Sequence, residues 1–599
     1  MRKAIAAYRV LIGIGFRAAP LHATFQMLTG IIMALGGPAL AYGGKLLVDA
    51  AIARDMGLGL AATAVLALAS GLTLIALFYY VDCVFTVMER AGAAASLRLM
   101  QLLGSTPGLA HFERPEYLDE VQRLREDSHG LSAMVNATAG LLRAGVTLTA
   151  TAILLVRLHP ALLLLPAFAS LSFWLSKRSR DLAIKAQEAT SEQERLRRHL
   201  FEVGTSAAHG KELRMFGLTG VLLNRHHGVA EGVLRTRNQA SWQGAVLSSI
   251  DGAVSALAYV GAIALMLVLA MGGRATAGDV VLVVGLAGSM SGIVFMAVGY
   301  GMSFLYVLKA GMRFLWLEDY ARNAQRSTAV SETEPAPVPE RLQTGIELRN
   351  VTFGYPDTDR PVLDGLSLHL PAGKVVALVG ENGAGKTTLI KLLCDFYQAS
   401  SGQVLVDGTD LARYPVDSWR KRISSAFQDF ARFEFRTQQT VGVADLPRMD
   451  DSGAVAAALE RAGAGGVVDN LPQGLNTQLG SAWAGGVDLS GGQWQKLALA
   501  RGLMRTDPLL VVFDEPTAAL DPQTEHALFE RFAEAARAGQ ERGTITLLVS
   551  HRFSTVRMAD LIVVLDGGRV RECGSHQELM SQGGLYAELY GLQSHAYLN

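Results

Sequence analysis

Long apolar runs fill the first half of the chain, whereas short ones bounded by glycine, proline or charge fill the second. Six apolar segments, at about 22–50, 58–90, 132–157, 160–178, 244–272 and 278–308, each approach or exceed the ~20 residues that cross ~30 Å of hydrocarbon. Ahead of them, Met1 to Ala19 mixes Arg2, Lys3, Arg9 and Arg17 with apolar positions. That pattern shares its basic start with a signal peptide, but the arginine spacing fits better a helix lying along the inner membrane surface. Ala91 to Gly104 and Asp181 to Phe201 keep a helical composition with few breakers, which predicts membrane helices that continue beyond the bilayer. A helix from Asp279 to Tyr320 would reach ~60 Å at 1.5 Å per residue. The stretch Ser327 to Gln343, with Pro335, Pro337 and Pro339 among mostly polar residues, reads as a linker. The alternating run Ile346 to Phe353 then opens a second domain. Its short apolar runs Val375–Val379, Leu509–Phe513 and Thr544–Val549 are of buried-strand type. The expected organisation is an α-helical membrane domain of six long transmembrane helices over 1–320, a linker over 321–345, and an α/β domain over 346–599.

Composition sharpens this picture. Half of the 599 residues are hydrophobic and only 18% are charged, less charge than a soluble chain of this size carries. A net charge of zero argues against a nucleic-acid binder. Cys83, Cys394 and Cys573 are too scattered for a disulfide framework or a metal site. The short connections near Arg54, His159 and Arg274 carry few basic residues, while the segment from Lys177 to Arg237 holds twelve and the one from Arg90 to Arg125 is also arginine-bearing. Basic residues favour the cytoplasmic side, so a multi-pass protein of the cytoplasmic (cell) membrane is expected, with the long connections, both termini and the α/β domain in the cytoplasm.

The candidate chemistry begins where the run Val375–Val379 ends. Gly380-Glu381-Asn382-Gly383-Ala384-Gly385-Lys386-Thr387 follows an apolar strand and opens a helix, so several backbone N–H groups and the positive end of the helix dipole converge on one spot. Such a cradle suits a phosphate chain. Lys386 would reach the terminal phosphates, Thr388 continues the loop into its helix, and the Thr387 hydroxyl would hold magnesium. Further on, Leu489-Ser490-Gly491-Gly492-Gln493 leads into a helical stretch with Lys496 and Arg501. Asp514 and Glu515 terminate the strand Leu509–Phe513, and His551 follows the strand Thr544–Val549. Phosphoryl transfer to water needs positioning, charge neutralisation and a group that orients or deprotonates the water. Asp514 is suited to hold magnesium and Glu515 to polarise the water.

In this order and spacing, the set resembles the nucleotide-binding domain of an ATP-binding cassette (ABC) transporter. The resemblance is strong over 346–590 and rests on architecture alone over 1–320. It implies a P-loop ATPase with ATP and Mg2+ as cofactors. Tyr355, in Phe-Gly-Tyr-Pro, would stack on adenine; Gln428, in Ala-Phe-Gln-Asp, would reach magnesium and the attacking water; His551 would contact the γ-phosphate. Asp521 would sit in the turn that runs between paired domains. Ser490, Gly491, Gly492 and Gln493 would complete the site of a second subunit. A dimer follows, as a homodimer or as a heterodimer with a related half-transporter. Breaks near 110–120 and 205–217, each followed by a short polar helix, look like the coupling helices of the exporter branch. One departure is the stretch Leu479 to Gly486, which lacks the glutamate that many multidrug exporters carry just before the signature.

The fused order implies ATP-driven export; an ATP-gated channel or a regulatory subunit is the alternative. Six spans argue against the soluble ABC ATPases of DNA repair and translation. For the substrate, an amphipathic drug, a lipid and a peptide are all compatible. Asp82, Arg143 and Asp251 fall in or beside apolar segments, where charges face an interior or a partner. Some of them are expected to line an inward-facing cavity, the alternative being an interhelical salt bridge or an interfacial position. Met290, Phe295, Met296 and Tyr300 form an adaptable apolar wall or simply pack.

Overall fold

The computed structural model describes all residues except 1, 208, 330–334, 357, 359, 516–541, 551 and 599. The chain divides into two compact units. One comprises Met1–Ser105 and Glu120–Tyr320; the other comprises Thr106–Asp119 and Ala321–Asn599.

The first unit is helical throughout. Among the described residues, five helices are long and apolar enough to cross a membrane: Pro20–Ala53, Met56–Ser105, Met134–Leu158, Thr219–Met271 and Ala277–Gln325. The span expected at 160–178 begins as the 3₁₀ turn Pro160–Leu163 and continues as the helix Leu164–Ala189. The second half of that helix is polar, with Lys177, Arg178, Arg180 and Asp181, and this dilutes its apolar character. The amphipathic start is the separate helix Arg2–Ala18, as its arginine spacing anticipates.

Helix contact in this unit depends on small residues. A Cβ at Gly36 would lie 2.1 Å from Thr73 Oγ1, and one at Gly43 would lie 2.9 Å from Leu66. The backbones of Pro20–Ala53 and Met56–Ser105 therefore approach closely, as helices do in lipid, where burial of apolar side chains offers no driving force. Outward faces are correspondingly apolar: Leu68, Phe78, Leu257 and Val268 are all more than 60% exposed. Three charged groups of the apolar segments are paired where one helix ends and another begins. Lys45 pairs with Asp279, Asp49 accepts from Gly278 N at 3.0 Å, and Asp279 caps its own helix by accepting from Thr276 N at 2.9 Å.

The second unit is built on two sheets. Strands β1 (Gly345–Phe353), β2 (Leu363–Pro371), β4 (Ser401–Val406) and β5 (Thr409–Asp410) form an antiparallel sheet in the order β2-β1-β4-β5. A six-stranded sheet contains β3 (Val375–Val379), β6 (Ile423–Ala426), β7 (Leu510–Asp514), β8 (Ile545–Val549), β9 (Leu561–Asp566) and β10 (Arg569–Gly574), in the order β10-β9-β3-β8-β7-β6. All neighbours in it run parallel except β9 and β10. Strands β3, β7 and β8 are nearly continuous Val, Leu and Ile, because a parallel sheet is covered on both faces. Ligands of such sheets bind beyond the carboxyl ends of the strands, where β3 hands over to the glycine loop and β7 ends in Asp514.

Candidate nucleotide site

The loop after β3 folds as its glycines require. Gly380 has φ 153°, and a Cβ there would lie 2.2 Å from the Leu565 carbonyl oxygen. Gly385 has φ 99° at the N-cap of the helix Lys386–Leu393, with Leu363 only 2.6 Å from a would-be Cβ. No other residue type fits either place without displacing backbone or core. Lys386 is 7% exposed, and its ammonium donates to the carbonyls of Gly380 (2.7 Å) and Glu381 (2.9 Å), so it closes the loop upon itself. Burial lowers its pKa, against the opposing pull of the Glu515 and Asp514 carboxylates.

Asp514 is buried at the end of β7. Burial first, and the neighbouring Glu515 second, raise its pKa, while a hydrogen bond from Thr387 and the charge of Lys386 act the other way. Glu515 adopts φ 48°, a left-handed conformation uncommon outside glycine, and its backbone N–H is held by Val549 O at 3.0 Å. The turn aims its carboxylate at Gln428, whose Nε2 donates to Glu515 Oε2 at 2.9 Å. Tyr355, Asn382, Gly383, Gly385, Lys386, Thr387, Thr388, Gln428 and Glu515 together line a cleft of about 670 Å³.

Magnesium fits the donors that converge here. Asp514, Thr387 and Gln428 offer oxygen atoms, the ligand type a hard cation prefers. Among the described residues no group of three His, Cys, Asp or Glu is placed to enclose a metal, so bound phosphates would complete the coordination.

Ser490, Gly491, Gly492 and Gln493 do not line this cleft. Ser490 is instead the N-cap of the helix Gly491–Gly502, within a reciprocal capping box: Gln493 N donates to its hydroxyl at 3.3 Å and Ser490 N to Gln493 Oε1 at 2.9 Å. Asp521 and His551 lie outside the described residues.

Two features were not read from the sequence. A groove of about 500 Å³ between β6 and the helix Gly491–Gly502 is lined by Phe396, Phe427, Phe430, Phe433, Arg420 and Arg501. Its guanidinium from Arg501 lies 4.8 Å from the Phe433 ring centre and donates to Ala431 O at 3.1 Å. The density of phenylalanine between 427 and 435 was the available signal. In addition, the glutamate-free loop after Leu479 meets a glutamate from elsewhere, since Trp483 Nε1 donates to Glu434 Oε2 at 3.0 Å. Gly480 also leaves room for that carboxylate, which a Cβ there would approach to 2.5 Å.

A phosphate loop, a paired Asp-Glu strand end and a capped Ser-Gly-Gly helix on this double sheet, joined to a unit of long apolar helices, define an ABC exporter half-transporter. Residues 363–518 match the ABC transporter family model. The chain is 32% identical over 481 residues to an ATP-dependent lipid A-core flippase of Pseudomonas syringae pv. tomato, covering 77% of this chain and 73% of that protein. The chain therefore belongs to the ABC transporter family. It is also 41% identical over 254 residues to an ATP-dependent lipid A-core flippase of Aromatoleum aromaticum and 39% over 271 residues to one of Pseudomonas aeruginosa. Those two alignments span about two-fifths of either relative, 41% and 43% of its length. Among solved structures, a bacterial Atm1-family ABC exporter with ATP bound superposes with a TM-score of 0.75 at 25% identity, covering 96% of this chain and 98% of that one.

Proposed function

We propose that this protein hydrolyses ATP to export an amphipathic lipid across or out of the cytoplasmic membrane, working as a dimer with two composite sites. The observation that carries the reading is the Gln428–Glu515 hydrogen bond across the mouth of the cleft. It holds a carboxylate and an amide together beside the phosphate loop, where an attacking water must be oriented. In this reading Glu515 accepts the water's proton, Gln428 positions that water, and Lys386 neutralises the terminal phosphate, with Gly380, Asn382, Gly383, Gly385 and Thr388 shaping the cradle. Thr387, Asp514 and Gln428 would hold magnesium, which would supply neutralisation of phosphate charge. Tyr355 offers its ring to adenine. The Ser490–Gln493 helix tip, which stands apart from the cleft of its own chain, serves the cleft of a second copy or of a related half-transporter. The assignments of His551 and Asp521 to the γ-phosphate and to the turn between paired domains rest on the motif alone.

Lipid is favoured over drug or peptide by the relatives named as lipid A-core flippases. The apolar helices also hold a polar cluster. Gln26 Nε2 and the Tyr80 hydroxyl both donate to Asn136 Oδ1, at 3.2 and 3.3 Å, and the Arg143 guanidinium lies 6.0 Å from the Tyr80 ring centre. Gln26 and Tyr80 are buried, so this cluster ties the helices together by hydrogen bonds among its own polar groups. Of the other intramembrane charges, Asp82 is exposed and Asp251 has a buried Oδ1 with no hydrogen-bond partner. On the last helix, Met290 is buried whereas Phe295 is 68% exposed and lies 5.6 Å below the Arg180 guanidinium. The test is ATPase stimulation of the purified protein by lipid, drug and peptide panels, with Glu515→Gln as the blank, followed by uphill movement of any hit in sealed vesicles. Lipid stimulation with ATP-dependent accumulation supports the reading. Flux that only runs downhill would favour a channel, and stimulation confined to peptides would remove lipid as the substrate.

A further inference from the structure

Thr106–Asp119 lies in the chain between two membrane helices, yet it packs as part of the ATPase unit. Its anchor is specific. Leu109 N donates to Phe396 O at 3.2 Å, and Gly108, at φ 75°, permits an approach in which a Cβ would sit 2.9 Å from that carbonyl. Leu109 and Ala110 pack against the apolar core of the unit. Phe396 itself follows the helix Lys386–Leu393, the one opened by the phosphate loop. The segment therefore touches the far end of the element whose near end faces the cleft.

A second contact links the same two places through side chains. Lys391 stands four residues beyond Thr387 and three beyond Thr388, so all three share one face of that helix. The Lys391 ammonium is 3.6 Å from the Glu113 carboxylate and donates to the Tyr355 hydroxyl at 3.3 Å. It lies 5.0 Å from the Tyr355 ring centre and 5.6 Å from that of Tyr397. Because the hydroxyl is nearer than the ring centre, the ammonium sits at the polar end of the phenol and does not occupy its face. The same hydroxyl is 3.0 Å from Thr388 Oγ1. Tyr397 and Phe353 meet the Tyr355 ring edge to face, at 5.5 and 5.2 Å, and fix its plane.

We infer that Lys391 is a positioning residue that ties the aromatic wall of the nucleotide cleft to Glu113, so that binding of the base and seating of the segment Thr106–Asp119 are energetically linked. Every term is local and polar. A base that settles on Tyr355 fixes the phenol, the phenol fixes the ammonium, and the ammonium holds Glu113. By reciprocity, a change that releases Glu113 loosens Tyr355 and weakens nucleotide binding by the same factor. The side chains of Lys391 and Glu113 are 28% and 31% exposed, so the link is modest; half-exposed ion pairs support a two- to fivefold effect. The inference rests on the assignment of the cleft to ATP given above.

The test uses the full-length protein in lipid nanodiscs and measures binding of a ribose-labelled fluorescent ATP, together with KM and kcat for ATP. Four variants are compared with the parent: Lys391→Met, Lys391→Arg, Glu113→Gln and the double change Lys391→Met with Glu113→Gln. Each single loss of charge is expected to weaken nucleotide binding two- to fivefold and to raise KM more than it lowers kcat. The double variant should be no weaker than Lys391→Met alone, because one link is being cut twice. Lys391→Arg should restore binding to within twofold, which separates an electrostatic tie from a packing defect. Unchanged binding in Glu113→Gln, or losses that multiply in the double variant, would overturn the inference while leaving the ATPase assignment intact. A parent protein that does not bind the labelled ATP at all would overturn that assignment, and the inference with it.

Discussion

Replacing Glu515 by Gln isolates the step assigned to the carboxylate. The exchange is nearly isosteric, and the side-chain oxygen of glutamine can still accept from Gln428 Nε2, now 2.9 Å from the carboxylate. Backbone strain is unchanged, since either residue occupies φ 48° at the same cost of roughly 1–2 kcal/mol. Electrostatically the change relieves the site. After burial, Glu515 is the largest cause that raises the Asp514 pKa, so its neutralisation favours the Asp514 carboxylate, and removing a negative charge beside the phosphates does not oppose ATP. What is lost is proton transfer from water, worth roughly 10²–10⁴ in rate, or about 3–5 kcal/mol of barrier at 1.36 kcal/mol per decade. Phosphate release by the purified protein should fall by at least a hundredfold, with labelled-ATP affinity equal to or tighter than that of the parent. Turnover within threefold of the parent would refute the role of Glu515, and a loss of affinity would show that the site had been damaged and the chemistry left untested, to be resolved with Glu515→Ala.

Burial raises the Asp395 carboxyl to about 6, with Arg420 opposing. The folded state thus binds a proton more tightly than the unfolded chain, whose carboxyl titrates near ~3.9, and stability is full at low pH and lost as pH rises toward 6. Asp395→Asn should therefore raise the apparent melting temperature at pH 7.5, by the equivalent of about 3 kcal/mol, with the gain shrinking at pH 4; asparagine also tolerates the φ of 54° at this position. Arg505 donates to Ala444 O at 2.9 Å and to Ile423 O at 2.5 Å, and also to Arg420 O. Arg505→Ala strands these acceptors and should lower thermal stability by about 3 kcal/mol in scanning fluorimetry. Tyr355→Ala should raise the KM for ATP about tenfold through lost stacking, within the range measured for bases on aromatic side chains. Tyr355→Phe, which keeps the ring but loses the hydroxyl links to Thr388 and Lys391, should raise it less; equal KM values for both would mean that the ring contributes nothing.

Much of the candidate site was legible because its chemistry is written in contiguous residues. A glycine loop between strand and helix, a Ser-Gly-Gly N-cap and an Asp-Glu strand end each carry their geometry with them, and Gly380, Gly385, Ser490 and Glu515 occupy the conformations those motifs require. The fourth expected span was less legible, since periodicity reads the apolar half of Leu164–Ala189 and the basic half dilutes it. The aromatic groove around Phe433 and the Glu434–Trp483 contact were missed for a different reason: each joins segments that are separate in sequence, and no local pattern reports such a meeting.

The sequence by itself determined the two kinds of domain, the glycine loop between strand and helix and the family, because apolar run length and motif spacing are one-dimensional properties. Only the tertiary structure decided which charges pair, as Lys45 with Asp279 and Lys391 with Glu113, and that a short segment between two membrane helices packs with the ATPase. Those outcomes depend on how the chain closes its long loops, and electrostatic and van der Waals contacts act through distance in space, which residue number does not encode.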